Sequence, residues 1–236
     1  STPIKSSAAS DVYKRQYLTE SLENKVRDNY HICLYAKNWE GVKELNKMLS
    51  VANNRKDGHY HYVPRITFDE LYKSSDNIIM TTACTGGVFK SDNKELKMEF
   101  IKFLSQNKHR AFMEVQHHNT NEQKQHNRLM VEISKRFGIP LIVATDTHAL
   151  NNTHVKGRTI LQKAKNIHFD NEDGWDLVMK SYDELLVAMQ NQDVLTQDLI
   201  DVAIENTNVL ASMIEEFTLD RSNCLLYTSD AADDLI

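Results

Sequence analysis

The pair Asp146 and His148 is the feature of this sequence that most directly suggests chemistry. The two residues follow the apolar run 141–145, which predicts a buried strand. Side chains two positions apart in an extended strand point the same way. An aspartate and a histidine at the carboxyl end of a strand would form half of a divalent-metal site. The alternative is a helix-capping aspartate beside a surface histidine, and spacing alone does not separate the two.

Other predicted strands carry further polar or soft side chains near their ends. His31 lies near the start of the first predicted strand, and Cys84 lies just past the second. Glu114 is in the third strand, and His118 lies at its exit. Taken singly, a histidine on an apolar strand or a buried cysteine is more simply a core residue. Four strands that each carry such a residue favour a shared site, as in barrel enzymes. Imidazole, carboxylate and thiolate suit Zn, Mn or Fe, and a cluster of such ions favours phosphoester hydrolysis.

The composition predicts one domain without a membrane segment. The chain has 236 residues, 41% hydrophobic and 26% charged, which is enough for one domain with a real core or for one domain with a short appendage. Its formal net charge of -5 gives no sign of broad affinity for nucleic acid, although a local basic groove is compatible with it. No apolar run reaches the roughly 18 residues of a membrane span. Three scattered cysteines favour a reducing compartment, so we expect a cytoplasmic protein.

Strand and helix patterns alternate four times between residues 30 and 145. This alternation is typical of a parallel α/β sheet or barrel. Within it, Thr67 and Glu70 are predicted to form a capping box, and Gly138 is predicted to end a helix. A further helix is predicted to start at Ser91 or Asp92, with an apolar face of Leu96, Phe100, Phe103 and Leu104. Residues 55–65 are predicted to form a loop with His59 and His61 at the surface. After about residue 150 the pattern changes, and it predicts helices at 152–166, 182–190 and 196–216 with a short strand at 177–180.

The two ends of the chain have no helical or strand period. Residues 1–16 and the tail 221–236 resemble the conceptual translation of sequencing-library adapters, so both are left out of the fold prediction. The alternative is a natural flexible terminus. We expect the natural protein to continue beyond both ends of the remaining segment.

Five motifs follow one another at residues 31–38, 64–66, 83–87, 114–118 and 143–148. Their order and spacing resemble the polymerase and histidinol phosphatase (PHP) domain of the bacterial and phage DNA polymerase III alpha subunit. Two later segments, 180–185 and 205–211, resemble the connection toward the polymerase palm, so the resemblance covers about residues 29–217. It implies an α/β fold that is part of a distorted (βα)₇ barrel. Residues 17–150 would form the partial barrel, and residues 151–220 its last elements and a helical link toward the palm.

The resemblance also implies a metal site. The positions that match the metal ligands of the family are His31, Cys84, Asp146 and His148. Glu114 and His118 match a neighbouring motif, so we expect them beside the ligands, and the sequence assigns no catalytic residue. The family's opening His-x-His, its following Asp and His, and the Glu of its Gly-x-Glu-x-Tyr segment have no counterpart here. We therefore expect an incomplete site for a divalent metal (Zn, Mn or Fe) and no hydrolysis by this chain.

The leading hypothesis for function is a fragment of a replicative DNA polymerase III alpha subunit. In that family the PHP domain is associated with metal-dependent 3′–5′ exonuclease or phosphoesterase activity during DNA replication. The implied partners are DNA, through the intact polymerase, and other replisome subunits. One alternative is a non-catalytic structural or interaction domain of the polymerase, which an upstream His-x-His would argue against. Another is a free-standing PHP-family phosphatase for small molecules, which the polymerase-like extension after residue 150 disfavours.

Overall fold

The computed structural model describes residues 13–23, 29–166 and 175–216. Within these ranges the strands are β1 (Tyr13–Thr19), β2 (Tyr30–Ala36), β3 (Tyr60–His61), β4 (Val63–Thr67), β5 (Ile78–Thr81), β6 (Ala111–Gln116) and β7 (Leu141–Ala144). The α-helices are α1 (Trp39–Ala52), α2 (Phe68–Tyr72), α3 (Lys94–Gln106), α4 (Asn121–Phe137), α5 (Asn152–Ala164), α6 (Tyr182–Gln192) and α7 (Gln197–Ser212). None of these helices has the length and apolar character needed to cross a bilayer.

The strands join in one mixed sheet of order β3-β4-β1-β2-β5-β6-β7. Strands β5, β6 and β7 are parallel to one another, as the alternating pattern predicts. Strand β2 runs antiparallel to both of its neighbours, β1 and β5, so the sheet is mixed and the predicted parallel arrangement holds only for β5, β6 and β7. The described residues thus form a mixed α/β fold, and a closed barrel stays a prediction.

The direction of β2 determines which residues meet at the edge of the sheet. Because β2 is antiparallel to β5, its first residues lie beside the end of β5. The backbone N–H of His31 donates to the carbonyl of Gly86 at 3.0 Å, and His31 forms an isolated bridge with Gly87. The carboxyl ends of β5, β6 and β7 share this edge. A residue near the start of β2 therefore reaches the same rim as residues that follow the other strands.

The two faces of the sheet differ in chemistry. On β2, Ile32 and Leu34 point into the main hydrophobic core, whereas the alternate residues His31, Cys33 and Tyr35 line the opposite face. At one end of that opposite face lies a small apolar cluster of Ile79, Phe112, Ile142 and, from α7, Leu210. Its other end is polar, and the candidate site lies there.

Several local predictions are wrong because distant strands pair there. Residues 13–16, set aside as aperiodic, belong to β1, which pairs with both β2 and β4. The predicted loop 55–65 contains β3 and the start of β4. The strand predicted at 177–180 is only a single bridge between Ala149 and Val178. Residues 1–12 and the tail 221–236 lie outside the described residues.

The helix boundaries follow local signals more closely. Thr67 and Glu70 form the predicted capping box of α2, and Ser181 begins α6 in the same way. Gly138 ends α4 with φ +68°, a left-handed conformation that glycine adopts without steric cost. Helix α3 begins one or two residues later than predicted, because Asn93 accepts the capping hydrogen bonds.

Candidate metal centre

A pocket of about 440 Å³ opens at the polar end of the sheet. Its walls come from β2, the turn after β5, β6, the end of β7, and helices α6 and α7. Four predicted site residues line it: His31, Cys84, Glu114 and Asp146. Cys33, which was not among the predicted site residues, also lines the pocket because it alternates with His31 along β2.

His31 and Cys84 form the first donor pair. The Nδ1 atom of His31 lies 3.4 Å from Sγ of Cys84. The turn that carries Cys84 is tightly folded, so that Gly87 has no room for a side chain. A Cβ on Gly87 would lie 2.6 Å from the carbonyl oxygen of Thr82. Ala83 has φ +58°, in the left-handed region that costs a residue with a Cβ roughly 1 kcal/mol or more. The sheet therefore holds this turn in a strained conformation beside the pocket.

Asp146 lies between two imidazoles. Its Oδ1 atom is 3.3 Å from Nε2 of His148, and its Oδ2 atom is 3.9 Å from Nε2 of His118. The structure brings Asp146 and His148 together as predicted, but not by strand alternation. Strand β7 ends at Ala144, and Asp146 has φ +44°, so a turn rather than an extended strand aims the carboxylate. Aspartate tolerates this conformation better than most residues.

His118 is fully buried and its ring stacks on Trp175, with 4.7 Å between ring centroids and 21° between planes. Neither ring nitrogen of His118 has a hydrogen-bond partner in the described part of the chain. Desolvation lowers the pKa of His118, and it lowers the pKa of the adjacent His117 to about 4. Both rings are therefore neutral near pH 7, the form in which imidazole binds metals.

Glu114 lies beneath the pocket with both carboxylate oxygens engaged. The Thr81 hydroxyl donates to one oxygen at 2.5 Å, and the Gln116 amide donates to the other at 2.9 Å. Burial raises the pKa of Glu114, and the nearby charge of Asp146 raises it further. These contacts hold the carboxyl group in place beside the two donor pairs.

A buried polar network that the sequence patterns did not predict holds the exit of β6 in place. Asn127 of α4 donates from Nδ2 to the Gln116 carbonyl and to Gln192 Oε1, both at 2.7 Å. Gln192 of α6 donates to the carbonyls of Gln116 at 2.9 Å and His118 at 2.7 Å. Asn127 and Gln192 are almost completely buried. One signal was available, because Asn127 occupies the apolar stripe of α4 three positions before the core residue Met130.

The donor atoms are of the right chemical type for a metal ion, but their positions meet the requirements of a metal site only in part. Imidazole, thiolate and carboxylate suit a divalent transition metal. Among the described residues, however, no group of three His, Cys, Asp or Glu side chains is arranged to hold an ion. Structural zinc sites have four protein ligands, and catalytic zinc sites have three. The described chain instead offers one His–Cys pair and one Asp–His pair, with His118 beside the second.

Comparison with known proteins identifies similar DNA polymerases. The chain is 29% identical to the DNA polymerase III subunit alpha of Borreliella burgdorferi over 196 residues, which is 81% of this chain. It is 35% identical to the same subunit of Aquifex aeolicus over 160 residues, or 64% of this chain. It is 28% identical, over 86% of its length, to a probable DNA polymerase, YorL, of Bacillus subtilis. No protein-family model matches the chain.

These relatives indicate a protein similar to the bacterial DNA polymerase III alpha subunit. The chain spans only 17%, 14% and 18% of the lengths of these three relatives, respectively. The similarity therefore concerns a small part of a much longer polymerase polypeptide.

Proposed function

We propose that this chain is the PHP-domain part of a DNA polymerase III alpha-like protein and that its pocket is an incomplete metal centre. The supporting observation is the His31–Cys84 pair, which joins elements 53 residues apart in the same pocket as Asp146. The polymerase relatives give the proposal its biological setting, DNA replication. Other replisome subunits would be further partners of the complete protein.

The candidate residues would have two roles in such a centre, metal binding and positioning. His31, Cys84, Asp146 and His148 are the residues that would hold a divalent Zn, Mn or Fe ion. A bound divalent ion supplies hydroxide from water and neutralises charge on a phosphodiester. Glu114 and the Asn127 network would keep the floor of the pocket and the exit of β6 in place. In the complete protein the reaction would be metal-dependent 3′–5′ exonuclease or phosphoesterase hydrolysis, and this chain alone would not catalyse it.

A second candidate function is a non-catalytic structural or interaction domain of the polymerase. It is favoured by the lack, among the described residues, of three converging donors. A free-standing small-molecule phosphatase is less well supported, because the relatives are much longer polymerases.

The test combines metal titration with a nuclease assay. We expect calorimetry with Zn²⁺ and Mn²⁺ to show weak binding that His31→Ala/Cys84→Ala abolishes, and a 3′-labelled single-stranded oligonucleotide to stay intact in Mn²⁺. Robust hydrolysis that the double variant removes would refute the incomplete centre. If neither metal binds, the proposed metal centre is refuted, and the non-catalytic structural or interaction domain is the remaining candidate function.

A further inference from the structure

Helix α5 packs only loosely against the described part of the chain, where Val155, Arg158 and Gln162 are its partly covered residues. None of its 13 residues is buried. Its large apolar side chains Ile160 and Leu161 are 68% and 54% exposed. A helix of this length is marginally stable alone in water. Because a helix of this length gains most of its stability from packing, we expect α5 to contact a partner.

The charged side chains on and near α5 are all positive. Residues 147–166 contain four basic residues and no aspartate or glutamate, in a chain of formal net charge -5. Lys156, Ile160 and Lys163 are spaced i, i+4 and i+7, so they share one face of the helix. The two lysines are about 10 Å apart along the helix axis. This face presents two cations on either side of an apolar side chain.

The segment just before α5 is joined by backbone hydrogen bonds to the segment 175–180, whose Trp175 stacks on His118. The backbone N–H groups of His148 and Ala149 donate to the Leu177 carbonyl at 2.9 and 3.0 Å. Met179 N–H donates to the Ala149 carbonyl at 2.8 Å, and Asn151 then caps the helix by accepting from His154 N–H. The basic helix thus begins a few residues after Asp146, and its base is tied to the backbone beside the site.

We infer that the Lys156–Ile160–Lys163 face of α5 binds the phosphodiester backbone of a single-stranded nucleic acid that leads to the pocket. Lysines that bind phosphates release counterions from the nucleic acid. A segment with four basic residues and no acidic residue also disfavours basic partners. The exposed isoleucine between the lysines packs against sugar and base surfaces. The inference rests on the proposed function, which makes a nucleic acid the substrate, but the binding itself requires no metal.

The test measures binding of a labelled single-stranded DNA oligonucleotide by fluorescence anisotropy, in EDTA and over a range of salt concentrations. The variant is Lys156→Glu/Lys163→Glu. The matched control is Arg128→Glu/Lys135→Glu, which makes the same change of charge at the same spacing on exposed positions of α4. Thermal unfolding of each variant checks that the fold is retained.

We expect the α5 variant to raise the Kd by about tenfold and to lower the salt slope by roughly 1.4, or 0.7 for each lost phosphate contact. The α4 control should stay near the wild type. An RNA strand of the same sequence that binds equally supports a backbone contact. Equal loss in both variants, no binding by the wild type, or equally effective competition by polyglutamate would each overturn the inference. EDTA keeps the outcome separate from that of the metal centre, whose failure would leave this binding intact.

Discussion

The Nδ1 atom of His31 lies 3.4 Å from the Sγ atom of Cys84, although 53 positions separate the two residues in the chain. The contact exists because β2 is antiparallel to β5, so the start of one strand meets the end of the other. The turn after β5 completes it, since Gly86 accepts a hydrogen bond from the backbone of His31. The candidate centre thus depends on strand direction as much as on the residues themselves.

The first prediction concerns the two donor pairs. His31→Ala, Cys84→Ala and Asp146→Ala should each weaken Zn²⁺ binding by about tenfold or more, because each removes a direct donor. Isothermal titration calorimetry of each single variant measures the effect. The control is His109→Ala, which removes an exposed imidazole that contacts Asp76 instead of the pocket. A loss of affinity in the control as large as in the other variants would contradict the assignment.

The second prediction is a graded effect of three Gly→Ala substitutions on the free energy of unfolding. Gly157→Ala should stabilise by roughly 0.5–1 kcal/mol, because a Cβ in that helix meets open space. Gly138→Ala should cost about 1 kcal/mol, because φ is +68° there. Gly87→Ala should cost roughly 3 kcal/mol, because its Cβ would lie 2.6 Å from a backbone oxygen. Urea unfolding measures all three, and any other order would be evidence against this account of the turn.

The third prediction tests the buried network at the exit of β6. Asn127→Ala should lower the free energy of unfolding by about 3 kcal/mol, because buried groups of Gln116 and Gln192 lose their partners. Asn208→Ala is the matched control, since Asn208 is exposed on α7 and should change stability by less than about 0.5 kcal/mol. Equal effects of the two substitutions in urea unfolding would rule out a special role for the network.

The fourth prediction is a pH dependence that comes from His126. Burial lowers the pKa of His126 from 6.5 to about 4. The unfolded chain therefore takes up a proton between these pH values that the folded protein does not. The contribution of neutral His126 to the free energy of unfolding is therefore complete above pH 6.5 and is lost as the pH falls toward 4. The free energy of unfolding should fall by up to about 1.4 kcal/mol per pH unit in this range.

Replacing this histidine should remove that contribution. His126→Gln should make the decline in stability between pH 6.5 and 4 shallower, as measured by urea unfolding across that range. Gln125 and His126 line the same small surface pocket. Gln125→Ala removes no titratable group, so this variant should keep the wild-type dependence of stability on pH. An unchanged slope in His126→Gln would show that the side chain is solvated as well in the folded protein as in the unfolded chain.

The amino-acid sequence was sufficient for features that depend on residues a few positions apart. The capping box at Thr67 and Glu70 and the glycine end of α4 are confirmed, as is the apolar stripe of α3. The sequence also picked out His31, Cys84 and Asp146, which now line one pocket. Each of these signals is local: a cap, a period or a residue type at the end of an apolar run.

Histidine 59 shows why local signals are insufficient for burial. The sequence placed His59 on a surface loop, yet it is only 7% exposed. Its two ring nitrogens lie 2.7 Å from Asp57 and 3.1 Å from Glu70. Glu70 belongs to the capping box of α2. The same carboxylate that caps this helix therefore also contacts His59, which lies eleven positions earlier in the chain. No pattern around His59 contains that information.

The sequence by itself determined the helices and the kinds of side chain at the strand ends. Tertiary structure alone decided the direction of β2, the inclusion of β1 and β4 in the sheet, and the turn that aims Asp146 between His118 and His148. The physical reason is the range of the interactions. Helix hydrogen bonds and caps join near neighbours, whereas the direction and pairing of strands depend on hydrogen bonds and packing between residues far apart in the chain.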